Sequence, residues 1–190
     1  MKAEYLTSKC FKDAIWSGGI TRELVIFPKG ASYKERRFTS RISTATIESS
    51  FSIFTKLKGI RRFICTITSP ILLKVDGKEV FLHPFEVFEF LGDSYVESYG
   101  MTQDFNLMLK DDEVKGGMKI IRKEERIPTS DQSTVCIFSS SKDSEVFIED
   151  EVYRMDESSL LILREPTSSF INIKVNAQKP IIASFIENLA

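Results

Sequence analysis

Four short stretches carry side chains whose type and spacing suggest chemistry. In Phe38-Thr-Ser-Arg-Ile-Ser-Thr-Ala-Thr-Ile47 every second residue shares a side of an extended strand, so Arg41, Ser43, Ala45 and Ile47 face together. Turned inward, that face leaves room for a ligand beside a guanidinium able to grip a carboxylate bidentately; turned outward, Arg41 is solvated. Gly59-Ile-Arg-Arg62 places two arginines on opposite faces, and we take Arg62 as the inward one. Asp104-Phe-Asn-Leu-Met108 sets Asp104 and Asn106 on one face, with Phe105, Leu107 and Leu109 on the other. Asp and Asn are poor strand formers, so at inward positions they need partners. An arginine is one answer. A ligand is the other, with Asn106 donating to it and Asp104 accepting from its amide or fixing the arginine.

The stretch Trp16-Ser-Gly-Gly-Ile-Thr-Arg-Glu-Leu24 holds the only tryptophan, followed by two glycines that permit positive φ or close backbone approach. Alternation then puts Thr21, Glu23 and Val25 on one face. Either a ligand meets Trp16 and Glu23, or the tryptophan plugs the end of a barrel beside a glycine turn. The candidate ligand-binding set is therefore Trp16, Glu23, Arg41, Ser43, Arg62, Asp104 and Asn106.

Composition narrows what these residues can do. The single histidine, His83, lies in the turn Leu82-His-Pro84, so one subunit cannot assemble a multi-histidine zinc or iron centre or a paired-histidine mechanism. No Gly-x-Ser-x-Gly elbow supports a serine triad. We expect no metal and no cofactor. Three cysteines without Cys-x-x-Cys spacing, Cys10, Cys65 and Cys136, read as small buried hydrophobes in a reducing compartment. A net charge of −1 lacks the basic footprint of a phosphate-backbone binder, so nucleic acid is not an expected partner. The start, Met1-Lys-Ala-Glu-Tyr5, has no signal-peptide core, and no run of about 18 apolar residues could span a bilayer, so we expect a cytoplasmic protein without a membrane partner.

Strands must position these groups. Runs such as Thr21–Phe27, Arg62–Thr68 and Ile71–Val75 are apolar or alternating and close on Pro28, Pro70 and Asp76-Gly77. Further strands are expected over Lys78–Leu82, Phe85–Leu91, Tyr95–Tyr99 and Asp104–Leu109. Ile181–Leu189 suits either a helix or a closing strand, and Met118–Arg122 suits a crossing strand. The second half echoes the first at an offset near seventy residues: Phe63-Ile-Cys-Thr-Ile by Thr134-Val-Cys-Ile-Phe, Val75–Phe81 by Ile148–Tyr153, and Val87–Phe90 by Leu160–Leu163. The reading is all-β, two stacked jelly-roll or β-sandwich lobes related by duplication. We place the N-terminal lobe with the pocket at 1–110 and the second at 111–190, with strand exchange between them open.

Six ordered motifs carry a resemblance: Trp16–Leu24, Arg41-Ile-Ser-Thr-Ala45, Phe51-Ser-Ile-Phe54, Gly59–Arg62, Phe90-Leu-Gly-Asp93 and Asp104–Met108. Together they resemble the HutD/Ves family, with departures at Ser17 and Ser49-Ser50. The resemblance implies a bicupin of the cupin superfamily. In metal-binding cupins, histidines and a glutamate stand where Phe51–Phe54 and Arg62 stand here, and a further histidine near Asp104 and Asn106. The exchange turns a cation site into one suited to a small anion. The resemblance further implies a regulatory or sensing protein, linked to histidine utilisation or stress response, with a small carboxylate partner such as one resembling formylglutamate. In this reading Arg41 or Arg62 clamps the carboxylate, Asp104, Asn106 and Ser43 orient it, Glu23 holds an arginine or accepts a ligand amide, and Trp16 closes the apolar side. Alternatives are a metal-free isomerase or hydrolase with Glu23 or Asp104 as base, and a homodimeric interaction module without ligand.

Overall fold

A computed structural model describes residues 1–189. After β1 (Lys2–Leu6) and a short 3-10 turn come β2 (Lys12–Trp16), β3 (Gly19–Phe27), β4 (Ser40–Ile47), β5 (Phe51–Ile53), β6 (Ile60–Thr66), β7 (Ile71–Val75), β8 (Lys78–Leu82), β9 (Val87–Leu91), β10 (Val96–Tyr99) and β11 (Thr102–Lys110). The second half supplies β12 (Val114–Ile121), β13 (Glu124–Pro128), β14 (Ser133–Ser139), β15 (Ser144–Ile148), β16 (Glu151–Met155), β17 (Ser159–Arg164), β18 (Phe170–Asn176) and β19 (Ile181–Asn188). The described residues contain no α-helix. Ile181–Leu189 resolves to a strand because its β-formers pair along β14, Ile182 opposite Phe138 and Ala183 opposite Ile137.

The chain divides into two compact units, Phe11–Val114 and Met1–Cys10 with the residues from Lys115 onward. Sequence placed the first ten residues with the N-terminal lobe. Here β1 instead joins the second unit, pairing antiparallel with β17 from Lys2 opposite Arg164 to Leu6 opposite Leu160. In the first unit a six-stranded sheet, β2-β3-β4-β11-β6-β9, faces a four-stranded sheet, β5-β10-β7-β8. Ile64 and Phe90 from the first sheet pack on Ile71, Leu73, Leu82 and Val96 from the second.

The second unit has a five-stranded sheet, β1-β17-β14-β19-β12, and a four-stranded one, β13-β18-β15-β16. The strand order from β4 to β11 recurs from β12 to β19, each strand eight places later. One turn fixes the equivalence of residues. Phe85 and Ser158 both take positive φ, 58° and 57°, and their N–H groups donate to Thr66 O at 2.8 Å and Ser139 O at 2.9 Å. Thr66 thus matches Ser139, two residues away from the alignment that Cys65 and Cys136 suggest.

One smaller expectation changes. Cys65 and Cys136 are buried, but Cys10 is exposed at the 3-10 turn. Ser139 ends β14 and Ser140 and Ser141 lie in the loop that follows; all three are buried, with Ser139 Oγ 2.8 Å from Ser144 Oγ.

Candidate functional site

The inner face of the six-stranded sheet can be read as rows, because directly opposed residues in neighbouring strands project to the same side. One row is Ile26, Arg41, Met108, Arg62 and Phe90; the next is Glu23, Ser43, Asn106, Ile64 and Phe88; the third is Thr21, Ala45, Asp104 and Thr66. A bulge between Glu23 and Val25 shifts β3, so Val25 sits opposite Ile42 and Ile26 takes the inward place. This breaks the expected Thr21, Glu23, Val25 face: an extra residue, Leu24, reverses the alternation.

Trp16, Arg41, Ser43, Arg62, Asp104 and Asn106 line one cavity of about 340 Å³, with Thr21, Ala45, Tyr33, Phe54 and Met108 also on its wall. Glu23 is not on the wall. Its carboxylate instead accepts from Arg41 Nε at 2.8 Å. Arg41 Nη1 also donates to Ser43 Oγ at 3.2 Å, and the guanidinium lies 4.3 Å from the centroid of the Tyr33 ring. Arg41 is therefore paired with a carboxylate, Glu23, while still lining the cavity.

Arg62 is held differently. Its guanidinium lies 4.9 Å from the centroid of Phe54 and 5.0 Å from that of Phe90. Nη2 donates to the neutral amide oxygen of Asn106 at 3.2 Å, and Nε is buried without a partner. Among the described residues no carboxylate forms an ion pair with it. Burial pulls its pKa down to about 10 against the opposing pull of Tyr33 and Asp104. Its neighbour Arg61 points outward, bonded to Asp111 at 2.9 Å and Glu89 at 2.8 Å.

Asp104 is 2% exposed, and its Oδ1 is buried without a hydrogen-bond partner. Burial pushes the carboxyl up to about 7, against the lowering influence of Arg62, the Ala45 backbone N–H and Asn106. Opposite it, Thr66 Oγ1 is also buried and unpartnered, as is Trp16 Nε1. Buried polar atoms normally find partners; of the unpartnered ones, Trp16 Nε1, Arg62 Nε and Asp104 Oδ1 belong to residues on the cavity wall.

The glycines after Trp16 are required by contact. A Cβ on Gly18 would meet the Trp16 ring at 2.1 Å, and one on Gly19, at φ 148°, would lie 1.9 Å from Thr46 O. The backbone here closes around the indole.

His83 stays outside this site: its N–H donates to Glu86 Oε2 at 3.0 Å and its ring meets Phe81 edge-on. No group of three His, Cys, Asp or Glu side chains among the described residues could hold a metal ion. The resemblance placed Phe54 beside Arg62, but Tyr33 and the part Phe90 plays in the aromatic cage were not foreseen. Phe90 was within reach of row logic, since it lies one strand from Arg62; Tyr33 comes from a loop without period.

Paired antiparallel sheets enclosing a cavity define a cupin-like β protein. Solved structures share the fold, including a cupin 2 conserved barrel domain protein from Leptotrichia buccalis, at TM-score 0.56 and 7% identity over 98% of this chain and 96% of that one. A family model for HutD matches residues 8–183, and the chain belongs to the HutD family. HutD from Pseudomonas fluorescens SBW25, solved in a formate condition, is similar at TM-score 0.80 and 22% identity, with all of both chains covered. A conserved protein of unknown function from Pseudomonas aeruginosa PAO1 reaches 0.81 at 19% identity, again over both whole chains. The comparison with curated proteins gives no match.

Proposed function

We propose that the cavity binds a small carboxylate and that the protein serves as a HutD-type regulatory or sensing protein, linked to histidine utilisation and working in the cytoplasm. One observation carries the reading: Arg62 is a buried cation without a carboxylate partner, oriented by two aromatic rings and Asn106. A buried charge is costly unless it is paired, and an entering anion supplies the missing pair. Arg41, already neutralised by Glu23, acts as a wall. For location, no described helix is long and apolar enough to cross a membrane, and none of the three cysteines is in a disulfide.

The only tryptophan lines the cavity, so its fluorescence reports filling. Titrating formate, acetate, glutarate and N-formylglutamate should give saturable changes for at least one acid. Arg62→Ala should weaken that binding by about 100-fold, in line with the loss of a buried charged contact. Equal affinity in wild type, Arg62→Ala and Arg41→Ala would reject the arginine clamp.

The unpartnered Asp104 oxygen also favours a second reading, a metal-free isomerase with Asp104 as base. Turnover of a bound acid, lost in Asp104→Asn, would promote it.

A further inference from the structure

Arg62 and Asp104 face the same cavity without touching. Asp104 stands two residues before Asn106 on one face of β11, roughly 7 Å along the strand, and Asn106 receives the Arg62 hydrogen bond through Oδ1. The amide thus stands between a cation and a carboxyl group whose Oδ1 bonds to nothing. The charged and titratable groups around Asp104 can be enumerated. β6 brings Arg62, β4 brings Arg41 with Glu23 of β3 bonded to it, and the loop brings Tyr33. The four-stranded sheet turns Ile71, Leu73 and Val96 inward and no charged side chain.

That inventory leaves one negative group to oppose an incoming anion. Glu23 is occupied by Arg41, so with Asp104 ionised the remaining pair, Arg62 and Asp104, is neutral, and a guest carboxylate would lie against the buried Asp104 oxygen. Like charges sharing a low-dielectric site repel strongly enough to hold a proton on one of them. With Asp104 protonated, the same oxygen becomes a donor toward the guest, and the net positive charge of Arg62 is exposed to it.

We propose that the cavity takes up a carboxylate together with one proton, the anion seating on Arg62 and the proton, drawn from solvent, on Asp104, which then donates a hydrogen bond to the bound anion. The inference rests on the anion-binding reading above and adds its regulation: the ligand leaves as the medium turns alkaline. The ordinary carboxylate range would put this exchange far below neutrality, whereas burial moves it to about 7, into the range a cell experiences.

Formate is the probe, because it stays fully ionised from pH 6 to 9 and contributes no titration of its own. The dissociation constant for the wild-type protein should rise about tenfold per pH unit above 7. Calorimetry in buffers of different ionisation enthalpy should register uptake of close to one proton per formate at pH 8. Asp104→Asn, which keeps the shape and removes the titration, should bind formate with no dependence on pH in this range. Formate binding that is independent of pH, without proton uptake, would overturn the coupling while leaving the anion site intact. An Asp104→Asn protein that retains the full pH dependence would do the same. Absence of binding by formate and by every other acid of the panel would overturn the anion site itself. The calorimetric measurement on wild type decides the matter even if the variant folds poorly.

Discussion

The two units use one strand order for opposite interiors. With Thr66 matched to Ser139, Arg62 corresponds to Val135 and Ile64 to Ile137. The ladders extend the match: Asn106 lies opposite Ile64 as Ala183 lies opposite Ile137, and Met108 opposite Arg62 as Phe185 opposite Val135. Two residues earlier, Asp104 matches Ile181. In the second unit Val135, Ile137, Ile181 and Ala183 belong to one continuous apolar core, with the Phe185 ring packed against it. That ring lies over Gly117, where an added Cβ would come within 2.8 Å of it. One interior is sealed by aliphatic contact. The other spends the same positions on a guanidinium, an amide and a carboxyl group, and leaves a cavity. The lesson is that the framework tolerates polar inward positions when their side chains constrain one another, as Arg62 and Asn106 do.

The comparison can be broken most severely by moving the cation. Val135→Arg puts an unpaired charge into the sealed core and should cost on the order of 5 kcal/mol, read by urea unfolding. A variant of near wild-type stability would show that the second interior is as accommodating as the first.

Asp104→Asn sharpens the contrast through pH. The folded-state pKa of Asp104 is raised to about 7 from 3.8, so its contribution to stability is complete below about pH 4 and is lost as pH climbs to 7. The stability difference between Asp104→Asn and wild type should therefore grow by about 4 kcal/mol between pH 4 and 7 and then level off. A difference that stays constant with pH would mean Asp104 is already ionised in the folded protein.

The smallest effect belongs to the neighbour of Arg62. Arg61→Ala removes two exposed ion pairs and should change stability by less than about 1 kcal/mol while leaving ligand titrations unchanged.

Much of this contrast could be read from the chain. Alternation put Arg41 with Ser43 and Asp104 with Asn106 on shared faces and separated Arg62 from Arg61, because a strand has a fixed period of two, but it left open whether the Arg41 face turned inward. The same logic failed at Leu24, where the bulge adds a residue that sequence does not announce. It also could not say which arginine was already neutralised: Glu23 and Arg41 are 18 residues apart, and their meeting depends on the β3–β4 register. The run Leu160–Leu163 entered the reading as the echo of Val87–Phe90, and it is the buried strand β17. That β1 would lie beside it was invisible, since nothing local in Lys2–Leu6 specifies a partner so distant.

The placement of β1 bears on the order of events during synthesis. Tyr5 bonds to Asp156 across a separation of 151 residues, and Arg164 to Glu4 across 160. Phe11–Val114 is contiguous and emerges from the ribosome with every strand of its two sheets in hand, so it can close first. The first ten residues must wait as an unpaired tail until β17 is made. The protein thus completes its cavity-bearing half early and pairs its first residues with a strand made about 150 residues later.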